Sequence, residues 1–139
     1  MPSRLLASIA LMALLVPAAL AAKPKPVKTY KGTTEGGSAV TVKVKDGRVT
    51  SFKASVDAAC GLSSLLITIA YPPTGVKKGT SAPIRNGAFK VTYRSDPSLD
   101  PEDDKRTLSG TFGKHGRLTG AIKVRGLCSA DETYSATRR

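Results

Sequence analysis

The residues of this chain that could do chemistry fall into three sets, and the densest is acidic. Asp96, Asp100, Glu102, Asp103 and Asp104 place five carboxylates within nine residues. Hard oxygen donors at that density are what a calcium ion takes. The spacing is not that of an EF-hand, since it lacks the alternating Asp-x-Asp-x-Asp run and the turn glycine. Pro97 and Pro101 pre-shape the stretch but remove two amide donors. The five carboxylates are calcium candidates weighed against a solvated acidic loop that offsets a basic body. The expectation is that no metal and no cofactor is bound. A hydrolase built on this loop is a third-ranked alternative, because paired carboxylates for glycoside cleavage project across a cleft from a rigid scaffold.

The single histidine, His115, stands between Lys114 and Gly116. A Ser-His-Asp arrangement needs an imidazole that is partly buried and oriented by a carboxylate, and a turn flanked by lysine and glycine offers neither. No catalytic residue is expected. Glu35-Gly36-Gly37-Ser38 precedes a strand, whereas a glycine-rich phosphate loop opens a helix.

The second set is Cys60 and Cys128. Two cysteines and one distant histidine supply neither the ligand number nor the spacing of a zinc site. In an oxidising compartment they pair as one disulfide. Both fall on the inward parity of their strands, which places the bond inside the domain. Leu5 to Leu20 is a 16-residue uncharged stretch after Arg4, apolar except for Ser8, and it runs into Ala18-Ala19-Leu20-Ala21-Ala22. That is the form of a secretory signal peptide, shorter than the roughly 20 residues of a membrane span. Residues 1–22 are therefore expected to be removed, leaving a secreted, extracellular or cell-envelope protein.

The third set is basic. Residues 23–139 hold 21 lysines and arginines against 10 acids, a net charge of +11. Such a charge draws a small domain toward polyanions such as an anionic polymer, a wall or a membrane surface. Lys43, Lys45, Lys53, Lys77, Lys78, Lys123 and Arg125 are the candidate contacts, expected on one continuous face away from the acidic loop. The simpler expectation is a solvated surface. The chain has no Trp, and only Tyr30 and Tyr134 lie outside the expected core, so there is no aromatic platform for sugars or single-stranded bases. Specific nucleic-acid recognition is not expected.

These side chains need a scaffold, and its period is two. Lys23-Pro-Lys-Pro-Val-Lys28 is a basic, proline-rich lead that cannot enter a central strand. Folding starts near Thr29. Val40, Val42 and Val44 alternate with Thr41, Lys43 and Lys45, and Asp46-Gly47 is the strongest short hairpin signal. Phe52, Ala54 and Val56 lie on one face of the return strand. Leu65, Ile67, Ile69 and Tyr71 form a third run, expected to be more buried than the first because Leu66 is apolar too. Phe89, Val91 and Tyr93 follow Asn86-Gly87, then come Leu108, Gly110 and Phe112, then Leu118, Ile122 and Val124, then Tyr134 and Ala136. Val42, Phe52, Ile67, Phe89, Phe112 and Ile122 are the expected core. Lys45-Asp46-Gly47-Arg48-Val49-Thr50 is echoed by Lys114-His115-Gly116-Arg117-Leu118-Thr119. The echo marks either two equivalent hairpins or two independent turns of like chemistry.

Strands at this spacing predict one all-β domain over 29–139, an antiparallel β-sandwich of jelly-roll or Greek-key type with about 7–8 strands and one internal disulfide. A small β-barrel is the alternative. The outline of Gly32-Thr33, the Asp-Gly hairpin, Asn86-Gly87-Ala88-Phe89, Leu108-Ser109-Gly110-Thr111-Phe112, Gly120-Ala121-Ile122 and two cysteines resembles a broad group of small, secreted, uncharacterised bacterial one-domain β-sandwich proteins. The resemblance implies the fold and export, and no activity. The expected role is an exported, non-enzymatic binding or structural module. The alternative is a protein-binding or inhibitor module whose Tyr71–Pro83 loop enters a partner's cleft. Oligomeric state is left open.

Overall fold

Three glycine pairs set the turns. Asp46-Gly47, Asn86-Gly87 and His115-Gly116 each take positive φ at both residues, the geometry that a tight type I′ reversal demands. Between them the period-two segments become strands. The computed structural model describes residues 23–139, so the signal peptide expected over 1–22 lies outside the described residues. In chain order the strands are β1 (Lys28–Thr34), β2 (Ala39–Lys45), β3 (Arg48–Cys60), β4 (Ser63–Tyr71), β5 (Ala82–Pro83), β6 (Ala88–Tyr93), β7 (Asp104–Phe112), β8 (Arg117–Gly126) and β9 (Ala130–Arg138). One 3-10 turn, Lys114–Gly116, joins β7 to β8. Among the described residues no helix is long and apolar enough to cross a membrane.

The protein is all-β, antiparallel and linked by one disulfide. The strands belong to one nine-stranded sheet of order β4-β3-β2-β1-β9-β8-β7-β6, with the short β5 pairing on β3, and the sheet curls into a half-barrel. The expectation of two separate packed sheets is met only in its all-β, antiparallel part. The reason is the direct pairing of β1 with β9, Tyr30 opposite Arg138 through Thr34 opposite Tyr134, which carries one ladder across the molecule. Two four-stranded meanders, β1–β4 and β6–β9, thereby stand side by side. The sequence echo falls on the second hairpin of each, β2–β3 and β7–β8.

The core lines the concave side. Val40, Val42, Phe52, Val56, Ile69, Leu108, Leu118 and Ile122 are fully buried. Each removes most of an aliphatic or aromatic surface from water, worth about 1.5–3 kcal/mol per side chain. Ile67 and Phe112 are half-buried against this cluster, a correction to their placement in the core. The third run is corrected further, since Leu65 and Leu66 are exposed. β4 is an edge strand, and its first residues pair with the end of β3, beyond the β2–β3 pairing, which stops at Lys53.

Tyr30 and Tyr134 are also corrected, for both are buried, at 7% and 3% exposure. Tyr30 packs edge-on to Phe112, with ring centroids 5.2 Å apart. Tyr134 lies over two glycines. Gly110 and Gly120 sit opposite each other on β7 and β8, and Gly120 sits opposite Tyr134. A Cβ at either glycine would come within 2.6 Å of the Tyr134 hydroxyl. The vacated space lets that hydroxyl donate to the Ser109 carbonyl at 2.9 Å. Burial pushes the Tyr134 phenol up from its ordinary pKa. Phe52 from the other meander meets the same ring edge-on at 5.3 Å.

Candidate functional site

The outward positions of β1, β2 and β3 build the site. Lys31, Thr41 and Lys53 are directly opposite one another across the three strands, and Thr29, Lys43 and Ser51 form the next row. Lysine and hydroxyl therefore alternate in both directions. Neighbouring strands lie about 4.8 Å apart, so Lys31 and Lys53 are held about 10 Å apart, with Lys43 diagonal to both. The register slips between Lys43 and Val44, leaving Thr50 as an extra residue on β3. Such a bulge sharpens the local twist. Thr50 Oγ1 donates to the Lys43 carbonyl at 3.3 Å and spans the irregularity. Arg139 closes the group, its main-chain N–H donating to the Thr29 carbonyl at 2.9 Å.

These seven residues line a shallow hollow of about 590 Å³ with no acid in its wall. None of its four cations makes a salt bridge among the described residues. Their mutual repulsion stays small in water, about 1 kcal/mol or less per pair at these separations. An incoming anion would relieve it and release counterions. The alternating hydroxyls are donors as well as acceptors and suit oxyanion oxygens between the ammonium groups.

The sequence-derived cations do not form one face. Lys43 and Lys53 belong to the hollow, and Lys45 follows on the same strand. Lys77 and Lys78 are exposed on the loop after β4. Lys123 and Arg125 lie on β8, where both approach the one Asp131 carboxylate, at 3.9 and 3.1 Å, which offsets one of their two charges. Arg125 also donates to the Val124 and Ala130 carbonyls. Lys31 and Arg139 were missed. Lys31 carries a readable signal, because it alternates with Tyr30 and Gly32, but its neighbours depend on pairings that no local pattern shows.

The five carboxylates are not brought together as ligands, and no group of three or more potential metal-binding side chains converges among the described residues. Two of them shape the loop instead. Asp96 accepts from the Ser98 hydroxyl and amide at 2.6 and 2.9 Å, which holds its pKa below the usual range. Asp104 accepts from the Asp96 amide at 2.7 Å and the Ser95 hydroxyl at 2.9 Å, and it pairs with Arg106 at 3.3 Å. Burial opposes its ionisation, but these donors and Arg106 outweigh that and lower its pKa. Burial also pushes Tyr93, beside Arg106, up to about 12. His115 is exposed at its turn.

Cys60 and Cys128 are bonded, with Cα atoms 4.2 Å apart. The bond is half-buried at one rim, not deep in the interior, because Cys128 lies in the turn between β8 and β9. Beside it, Ala59 and Ser129 exchange main-chain hydrogen bonds at 2.8 Å. No protein-family model, curated protein or solved structure matches this chain.

Proposed function

We propose that the protein is an exported, non-enzymatic module that engages an anionic polymer or surface, of wall or membrane, through Lys31, Lys43, Lys53 and Arg139. One observation carries this reading: three lysines from three adjacent strands and one arginine surround a hydroxyl-lined hollow that contains no acid. A ligand with anionic groups repeated about 10 Å apart meets Lys31 and Lys53 together, and Lys43 lies between them. The acidic loop joins β6 to β7 and contributes no residue to the hollow's wall.

Export rests on the apolar Leu5–Leu20 stretch and its small-residue end, and the Cys60–Cys128 disulfide supports it. Membership of the group of small secreted bacterial one-domain proteins belongs to the same reading. So does a sandwich-like description of the fold, supported by Phe52 of one meander packing on Tyr134 of the other.

Binding to heparin and to vesicles rich in anionic lipid, at roughly 50 and 300 mM salt, tests the proposal through counterion release. Affinity should fall by at least about tenfold between the two salts, consistent with two or more released ions. Replacing Lys31, Lys43 and Lys53 together by Ala should abolish low-salt binding, whereas Lys123→Ala should leave it nearly unchanged. Binding that survives high salt, or that the triple variant retains, refutes the reading.

A further inference from the structure

The two ends of the sheet divide the charge of the molecule. Nine of the ten acids of 23–139 belong to one end: Glu35, Asp57, the five of 96–104, Asp131 and Glu132. They occupy the β1–β2 turn, the end of β3, the β6–β7 loop and the start of β9, which antiparallel pairing places at the same end. The tenth, Asp46, stands alone at the opposite end. Ten of the 21 lysines and arginines share that end with it, from the proline-rich lead, the β2–β3 and β7–β8 hairpins, Arg85 and the last two residues.

A cavity of about 420 Å³ opens at this basic end. Tyr30, Val44, Ile84 and Phe112 give it an apolar wall, and Lys25, Pro26, Lys28 and the Asp46-Gly47 turn complete its rim. The register explains the opening. Lys28 stands opposite Val44 and shares the core-side parity of Tyr30, so a lysine occupies a position where an apolar side chain would have closed the layer. Arg138, opposite Tyr30 on β9, ends its strand on the same parity. Lys25, Lys28 and Asp46 make no salt bridge among the described residues. The cavity shares no residue with the outer-face hollow.

We propose that this cavity binds a single-chain amphiphilic anion, with its apolar chain against Tyr30, Val44, Ile84 and Phe112 and its carboxylate or phosphate head at Lys25 and Lys28. The volume lies in the range of small-molecule sites. At about 30 Å³ for a water- or methylene-sized unit, it holds on the order of ten carbons, which is one chain and not two. Burial of the chain supplies affinity, and the two unpaired ammonium groups select the sign of the head. The division of charge between the ends steers an anion to this mouth and away from the acidic one. The proposal does not rest on the polyanion reading.

Isothermal titration of the purified protein with decanoate and with decyl phosphate, each below its micellar concentration, tests the proposal. Both should bind one to one, and the tighter of the two identifies the head. Acetate lacks the chain and 1-decanol lacks the charge, so each should bind at least about tenfold more weakly than decanoate. Lys25→Glu combined with Lys28→Glu should weaken decanoate at least about tenfold, whereas Asp46→Asn should tighten it about twofold. Ile84→Asn should weaken it about tenfold by wetting the apolar wall, and the charge variant serves if this one does not fold by circular dichroism. Replacing Lys31, Lys43 and Lys53 together by Ala should leave decanoate binding within about twofold, which separates failure here from failure of the polyanion reading. No saturable binding, 1-decanol binding as tightly as decanoate, or binding indifferent to both the Lys25/Lys28 and the Ile84 variants would overturn the proposal.

Discussion

The two meanders share a topology and a hairpin motif but differ in which of their cations are held in fixed contacts. In β6–β9 two arginines hold structure. Arg106 bridges Asp104 and the Thr68 carbonyl, and Arg125 bridges Asp131 and two carbonyls. In β1–β4 the arginine Arg48 likewise holds Ser81 through its hydroxyl and carbonyl, at 2.6 and 2.9 Å. Lys31, Lys43 and Lys53 make no side-chain hydrogen bond or salt bridge among the described residues. A planar guanidinium fork suits fixed geometry, and a compact, strongly hydrated ammonium suits water or a mobile anion. The difference teaches that the basic hollow is not demanded by the fold. On its other flank the same sheet holds Arg106 and Arg125 in fixed contacts, while Lys90, Lys105, Arg117 and Arg138 make no side-chain hydrogen bond or salt bridge among the described residues.

The disulfide should show the largest effect on this comparison, because it ties the end of β3 to the turn that follows β8 and so joins corresponding ends of the two meanders. Its partners are 68 residues apart, and replacing both by Ala should destabilise by about 4 kcal/mol on the loop-entropy account. Denaturant unfolding of the double variant checks this, and a loss below about 1 kcal/mol would mean that the two halves hold together without the link.

Core substitutions should sharpen the contrast next. Ile69→Ala on β4 and Ile122→Ala on β8 both empty fully buried sites, and each should lose about 2–4 kcal/mol. Ile67→Ala, two residues earlier on the projecting edge, should lose about half as much. Equal losses at Ile67 and Ile69 would show that Ile67, beside Leu99 and Arg106, is packed as tightly as the core.

Smallest are the effects of charge on stability. Asp104→Asn removes a buried carboxylate with three donors and should cost about 1–3 kcal/mol, whereas Lys43→Ala should stay within about 0.5. The Asp104 pKa is lower in the folded state, so its contribution is present above the unfolded value of about 3.9 and is lost as pH falls through the folded one. Acid unfolding of wild type and Asp104→Asn should therefore converge at low pH. At the other extreme, the folded Tyr93 value near 12 means that stability is lost as pH rises above the unfolded value of about 10.

Much of this architecture was legible in the chain. The alternation at Val40, Val42 and Val44 and the glycine pairs at 46–47 and 86–87 gave strands and turns, because strand pleat and turn φ are properties of a few consecutive residues. The hollow was legible only in part. Lys43 and Lys53 could be assigned to a wet face, yet Lys123 and Arg125 looked the same by parity until Asp131 was seen beside them. Leu65 and Leu66 read as core because apolar runs in strands usually are, and edge position is invisible to a period. Tyr134 read as exposed because nothing local indicates that Gly110 and Gly120 open a space beneath its ring.

By itself, then, the sequence determined period, turn chemistry, net charge and a cysteine pair with only one possible intramolecular partner, all of which depend on residue identity or on spacing within a few positions. Only the tertiary structure decided that β1 pairs with β9, that Lys31 stands beside Lys43 and Lys53, and that Arg106 of β7 reaches the Thr68 carbonyl of β4. Those facts depend on which strands become neighbours. Pairing partners distant in the chain are selected by burial and ladder hydrogen bonds summed over the whole sheet, and no short segment carries that sum.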